Sequence, residues 1–275
     1  MAERDIIREA QDYRMLEWND ISFSPGTPGM LMKTLHEDVY YKLSCFDSYA
    51  GFYGHESVNE LIVSRLLDTI GIPHVAYQLI HALIRIDGKE YTTWMCSSRN
   101  FRKKGESKMG LDVYYDLNKK ENESPLDFCI RMGWKTEISQ MMLADFLVSN
   151  KDRHGANIEV LLDEQGNARM APLFDFGLSL LFSKNGEFVE DVADYNVMAD
   201  YPANNYLGSR FLFKNLELMP ELPRIPERTE GAKAVILEGL EDILPKAHID
   251  KAWEMIEKRW DYYEAFYRRQ QDGAR

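Results

Sequence analysis

The chain has 275 residues, 45% hydrophobic and 28% charged, the make-up of a folded protein long enough for one large domain or a two-lobed one. A formal net charge of -12 argues against a general nucleic-acid binder, because a phosphate backbone would be repelled on average. No apolar run reaches the roughly 18 residues of a membrane span, and the opening MAERDIIREAQ has no apolar signal core. A cytoplasmic protein with no direct nucleic-acid or membrane partner is therefore expected.

In chain order, SPGTPG at 24–29 is a Gly/Pro turn cluster, and VYYKLS after it alternates like a half-buried strand. SVNELIVSRLLDTIG then sets Val58, Leu61, Ile62, Leu66 and Ile70 at helical spacing, with Gly71 and Pro73 as the stop. YQLIHALIRI and KEYTTWMCS flank Asp87-Gly88, a strong hairpin signal. The first hundred residues thus predict turn, strand, helix, strand, strand. The run RNFRKKGESK, with Arg99, Arg102, Lys103, Lys104 and Lys108, is a basic island in an acidic chain. It reads as a solvated loop or as a docking patch for an acidic partner.

Beyond Arg99 the character turns helical: PLDFCIRMGW, TEISQMMLADFLVSN and HIDKAWEMIEKRWDYYEAFYRR. The exception is NIEVLLD, EQGN, ARMAPLF, which predicts strand, turn, strand. The expected fold is α+β and two-lobed. A small, mostly antiparallel β-lobe with one helix would span 1–98, and a larger, mainly helical lobe 99–275, with the boundary near 97–101. Cys45, Cys96 and Cys129 are far apart and odd in number, which predicts reduced, mostly buried thiols rather than a disulfide framework.

Two clusters of oxygen ligands flank the central hairpin: DRHGAN before it and FDFG after it. Phosphoryl transfer needs nucleotide phosphates held, Mg²⁺ placed on them, and an acceptor hydroxyl aimed in line. Mg²⁺ prefers a few carboxylate or amide oxygens beside waters and phosphate oxygens. Asp152 and Asn157 have the five-residue offset of a kinase catalytic loop, and Asp175 stands where a metal-binding DFG aspartate would. The spacing alone is common by chance; the order of loop, hairpin and DFG is what brings Asn157 and Asp175 within reach of one ion. The same chemistry asks for a strand lysine and a helix glutamate upstream. Lys42 in YYKLS and Glu60 in the next helix fit, with Glu56, one turn earlier, as the competing partner. Ser24, Gly26, Thr27 and Gly29 form a turn whose backbone N–H groups can approach anionic oxygens, although a plain loop explains SPGTPGM nearly as well.

DRHGAN followed by FDFG is similar to the DRHxxN and DFG motifs of phosphatidylinositol kinases. The runs KLSCFDSYAGFYGHESVNELIVSRLL, DFLVSNKDRHGANI and APLFDFGLSLL resemble more closely the short HipA-like, CtkA-type bacterial serine/threonine kinases. The resemblance covers roughly 24–210. It implies a two-lobed kinase using ATP and Mg²⁺ to phosphorylate a protein hydroxyl. Asp152 would be the base, Asn157 and Asp175 the metal ligands, Lys42 the phosphate-binding lysine and Glu60 its partner. Cys96, Ser97 and Ser98 would lie at the adenine-contacting hinge, and His154 would assist charge stabilisation or bond structurally. It further implies autophosphorylation in the small lobe, for which Ser24 and Thr27 are the candidates. The chain looks too short for the extra N-terminal subdomain of full-length HipA toxins, which leaves a HipB-type antitoxin uncertain as a partner. No APE motif follows DFG, unlike eukaryotic protein kinases. Other functions compatible with the motifs are a lipid or small-molecule kinase and a nucleotide-binding pseudokinase. The residues at 191–211 carry no assignment.

Overall fold

The computed structural model describes residues 5–18, 31–49, 51–184 and 192–273. The 24–29 turn, with Ser24, Gly26, Thr27 and Gly29, lies outside them. The first part of the chain builds a five-stranded sheet from β1 (Ile6–Asp12), β2 (Lys33–His36), β3 (Val39–Leu43), β6 (Tyr77–Ile86) and β7 (Lys89–Arg99), ordered β1-β6-β7-β3-β2. The short β4 (Phe46–Asp47) and β5 (Gly51–Phe52) pair beside it. The predicted hairpin forms at Asp87 and Gly88, whose φ values of 49° and 78° suit a two-residue turn that follows the twist of its strands. Two strands of the five-stranded sheet, and the β4–β5 pair, escaped prediction. β1 lies parallel to β6 at the sheet edge, and β2 pairs with β3.

Helix α1 (Glu56–Ile70) packs on this sheet and ends at Gly71, whose φ of 73° closes the last turn in the left-handed region that favours glycine. Its periodicity suggests one apolar face, yet the helix is buried nearly all round. The sheet covers one side and α6 (Ala232–Leu237) another, and Arg65 reaches out to Asp5 and to the carbonyls of Ile236 and Glu238. Its polar side chains Asn59 and Glu60 belong to the site described below.

After Arg99 the chain leaves the five-stranded sheet. β8 (Ser107–Gly110) joins the central hairpin of β10 (Glu159–Leu162) and β11 (Ala168–Met170), and β9 (Asp152–Arg153) pairs with β12 (Asn204–Asn205). The helices are α2 (Leu111–Asn118), α3 (Pro125–Arg131), α4 (Lys135–Val148), α5 (Leu212–Leu218) and α7 (Lys246–Gly273). α4 is the centre of this part: it is almost wholly buried, packed by α5 and α7. All three cysteines are free, with Cys96 and Cys129 buried. No helix among the described residues is long and apolar enough to cross a membrane.

One contact between the two parts titrates. His55, which caps α1, meets His248 of α7 edge-on with ring centroids 5.1 Å apart. Burial and the neighbouring His248 push His55 down to about 4, and burial lowers His248 as well. The unfolded chain therefore binds more protons than the folded one between the ordinary imidazole pKa of about 6.5 and about 4, and stability falls as pH falls through that window. The expected loss is roughly 2 to 3 kcal/mol. Denaturant midpoints at pH 7 and pH 5 should diverge in the wild type and much less in a His55→Gln/His248→Phe protein. Equal divergence in both would remove the pair as its source.

Candidate active site

The β2–β3 turn consists of Glu37 and Asp38, with φ values of 48° and 65°. This two-residue turn fixes the register and places Lys33 opposite Lys42 on the same face of the sheet. Lys42 Nζ donates to Glu60 Oε1 at 2.9 Å and to Asp175 Oδ1 at 3.0 Å. The other Glu60 oxygen accepts the Phe176 N–H at 2.9 Å. Next to it on α1, Asn59 donates its amide to the carbonyls of Gly177 and Ser179 at 2.9 and 3.0 Å. The Asn59-Glu60 pair thus grips both Lys42 and the backbone that follows Asp175.

Glu56 has a different task. It accepts the Cys45 N–H at 3.0 Å, and Gly54 packs so closely on it that a Cβ there would lie 2.0 Å from its carboxylate. Glu60, not Glu56, is the partner of Lys42. Burial works against the Lys42 charge, but Asp175 and Glu60 hold its pKa well above the usual lysine value. Burial would raise Asp175 too, and the charge and hydrogen bond of Lys42 keep it below the ordinary carboxylate value. Glu60 is pushed up by burial against the opposing pull of Lys42.

The loop bearing Asp152 is organised by a buried ion pair. Asp145 of α4 and Arg153 are each 1% exposed and meet at 2.9 Å. Arg153 donates to the carbonyls of Asn157 at 3.0 Å and Phe174 at 2.8 Å, and its guanidinium lies 4.6 Å from the Phe176 ring centre. One arginine therefore ties together the two ends of the β10–β11 hairpin. Burial works against its charge, and Asp145 holds its pKa above the usual arginine value. The Asn157 amide donates to the Asp152 carbonyl at 3.1 Å, which turns its own carbonyl oxygen away from that bond. Asp152 Oδ1 accepts from Asn204 Nδ2 at 2.9 Å, and its Oδ2 is 3.7 Å from His154 Nε2. Asp175 has a φ of 63°, an uncommon conformation for a residue other than glycine.

These side chains face one cleft of about 270 Å³, lined by Lys33, Lys42, Asp152, His154, Asn157 and Asp175 together with Leu31, Ala156, Gly177 and Leu178. Asn157 and Asp175 are hard oxygen donors of the kind Mg²⁺ takes, and both line the same cleft as Asp152. Cys96, Ser97 and Ser98, the expected hinge residues, are buried towards the C-terminal end of β7, where their backbone pairs with β3 on one side and β6 on the other. Cys96 joins Val75 and Tyr77 in a small apolar cluster flanked by Phe101 and Phe174. β7 ends at Arg99, and Asn100 still donates its N–H to the Asp38 carbonyl of the β2–β3 turn at 2.9 Å.

Lys33, Asn59, Asp145 and Asn204 were missed in the sequence. The HED turn carried a signal for Lys33, since a two-residue turn sets its register with Lys42. A lone aspartate inside the apolar run MMLADFLV was the signal for Asp145. In the basic run, Lys108 pairs with Glu159 at 2.8 Å, and Glu106 pairs with Arg169 at 2.8 Å, as in a solvated loop.

No family model matches this chain, and no curated protein matches it. Among solved structures, the Helicobacter pylori proinflammatory kinase CtkA superposes with a TM-score of 0.56, covering 93% of this chain and 97% of that one at 14% identity. The chain has the fold of CtkA. A HipA of Shewanella oneidensis MR-1, solved with HipB and its operator DNA, gives a TM-score of 0.42 at 16% identity. That match covers 83% of this chain and 59% of the HipA. The CtkA match runs over nearly the whole of both chains.

Proposed function

We propose that the chain is a two-lobed kinase that transfers the γ-phosphoryl group of ATP to a serine or threonine hydroxyl of a protein. The observation that carries this is Lys42, held by the buried Glu60 and bonded to Asp175, in one cleft that Asp152 and Asn157 also line. In this reading 1–98 is the nucleotide-phosphate lobe and 99–275 the catalytic lobe. Asn157 and Asp175 would hold Mg²⁺, which when bound neutralises charge developing on the phosphoryl oxygens.

Lys42, held protonated between two carboxylates, is the cation for the nucleotide phosphates. Glu60 fixes its position, and through Phe176 N–H it couples that lysine to the placement of Asp175. Asp152 accepts the proton of the acceptor hydroxyl through whichever carboxylate edge Asn204 leaves free. His154, with its side chain 41% exposed at the cleft mouth, stands beside that edge.

Ser24 and Thr27, outside the described residues, are in this reading the autophosphorylation candidates, and a phosphate on either would carry roughly -1.5 to -2 charge that repels the nucleotide's own phosphates if the segment covers them. Modification there should switch the enzyme off. Mass spectrometry after incubation with ATP and Mg²⁺ should find phosphate on protein hydroxyls, Ser24 or Thr27 among them, and none when the metal is chelated. Phosphate accepted only by lipid vesicles would overturn the protein-kinase reading, and unmodified Ser24 and Thr27 would end the self-inhibition reading.

A further inference from the structure

The segment that follows the DFG region has a task of its own at the catalytic aspartate. β12 lies parallel to β9 with Asn204 in register with Asp152 and Asn205 with Arg153. Backbone bonds fix that register: Asn204 N–H donates to the Lys151 carbonyl at 2.9 Å and Tyr206 N–H to the Arg153 carbonyl at 2.9 Å. The strap is anchored before and after this point. Upstream, the buried Arg259 of α7 donates to the carbonyls of Val197 at 2.9 Å and Ala199 at 3.2 Å. Downstream, the wholly buried Asn215 accepts the Ser209 N–H at 2.6 Å and donates back to the Ser209 carbonyl at 3.0 Å.

Among the described residues of this anchored strap, one side chain, that of Asn204, touches the Asp152 carboxylate. A carboxylate only accepts, so it is the amide nitrogen of Asn204 that faces Oδ1, at 2.9 Å. The second carboxylate oxygen faces His154 at 3.7 Å and remains able to accept from a hydroxyl. One donor on one oxygen fixes the rotation of the carboxylate while leaving an edge for the acceptor. We propose that Asn204 is a positioning residue that sets the orientation of the Asp152 carboxylate for phosphoryl transfer. The inference rests on the kinase reading for its catalytic consequence, but the contact itself does not.

Asn204 is exposed, so its replacement should cost little stability, which separates positioning from folding. Asn204→Ala should lower kcat about 10- to 100-fold, the scale of a misplaced reacting group, with KM for ATP and nucleotide affinity unchanged. Asn204→Asp keeps the shape, removes the donor and sets a second carboxylate against Asp152. It should lose at least as much as the alanine variant, whereas a merely structural role would tolerate the isostere better. Independently of turnover, the ¹³C carboxyl resonance of Asp152 should move in both variants while resonances remote from the strap stay in place. An unmoved resonance, or variants with wild-type kcat, overturns the inference. A moved resonance in a protein whose wild type transfers no phosphate leaves the contact standing and overturns the kinase reading instead.

Discussion

Asp175→Asn should yield a folded protein whose Mg²⁺-dependent phosphoryl transfer is lower by about 10³-fold or more. The choice of asparagine matters, because Asp175 has a φ of 63° and asparagine adopts that left-handed conformation with little strain. The substitution then changes charge and leaves the backbone in place. Two things are lost together. Lys42 keeps only Glu60 as its counter-ion, and the proposed metal position loses its one anionic donor, since Asn157 is neutral. A metal that stabilises developing charge contributes several kcal/mol to the transition state, and each 1.36 kcal/mol is tenfold in rate. Turnover at saturating ATP, beside a melting curve, checks it. A folded variant with near wild-type turnover would remove Asp175 from the metal site.

Lys42→Met should damage both stability and turnover, and Glu60→Gln should offset part of the stability loss. Glu60 is 1% exposed and Lys42 12%, so removing the cation leaves a carboxylate buried without its partner. Breaking such a pair costs about 3 to 5 kcal/mol, most of it the uncompensated charge. Neutralising Glu60 in the same protein removes that charge, so the double variant should be more stable than the sum of the single losses requires. Turnover should follow the same pattern, severe for Lys42→Met, milder for Glu60→Gln, and less than additive in combination, because both act on one phosphate contact. Denaturant unfolding and turnover of the four proteins measure the coupling. Strictly additive losses would mean that the contact contributes nothing.

Much of this site was legible before the fold because the chemistry is written in short, ordered motifs. Asp152, Asn157 and Asp175 sit at the two ends of a hairpin whose strands and turn are themselves plain in NIEVLLDEQGNARM. The choice between Glu60 and Glu56 was not legible, since both lie on the same helix one turn apart. It depends on the loop at Gly54, which presses on Glu56. β1 was hidden because its sequence IIREAQD buries little: it sits at an edge, with most of its residues exposed or half-buried. That β7 has neighbours on both sides at Cys96 to Ser98 was not legible, because a strand's own sequence does not name its partners. Asn204 was out of range for a different reason. It lies 52 residues beyond Asp152, and only the parallel pairing of two-residue strands brings them together.

The most direct test of the account is Asp152→Asn, measured as single-turnover transfer from γ-labelled ATP beside nucleotide binding on the same protein. Asp152 has no contact with Lys42, Glu60 or Asp175 among the described hydrogen bonds, so its loss should leave the phosphate-binding group intact. The account predicts nucleotide affinity close to wild type and transfer slower by at least ~10²-fold, the scale of a lost general base. Transfer at the wild-type rate, or a loss of nucleotide affinity equal to the loss of transfer, would contradict it.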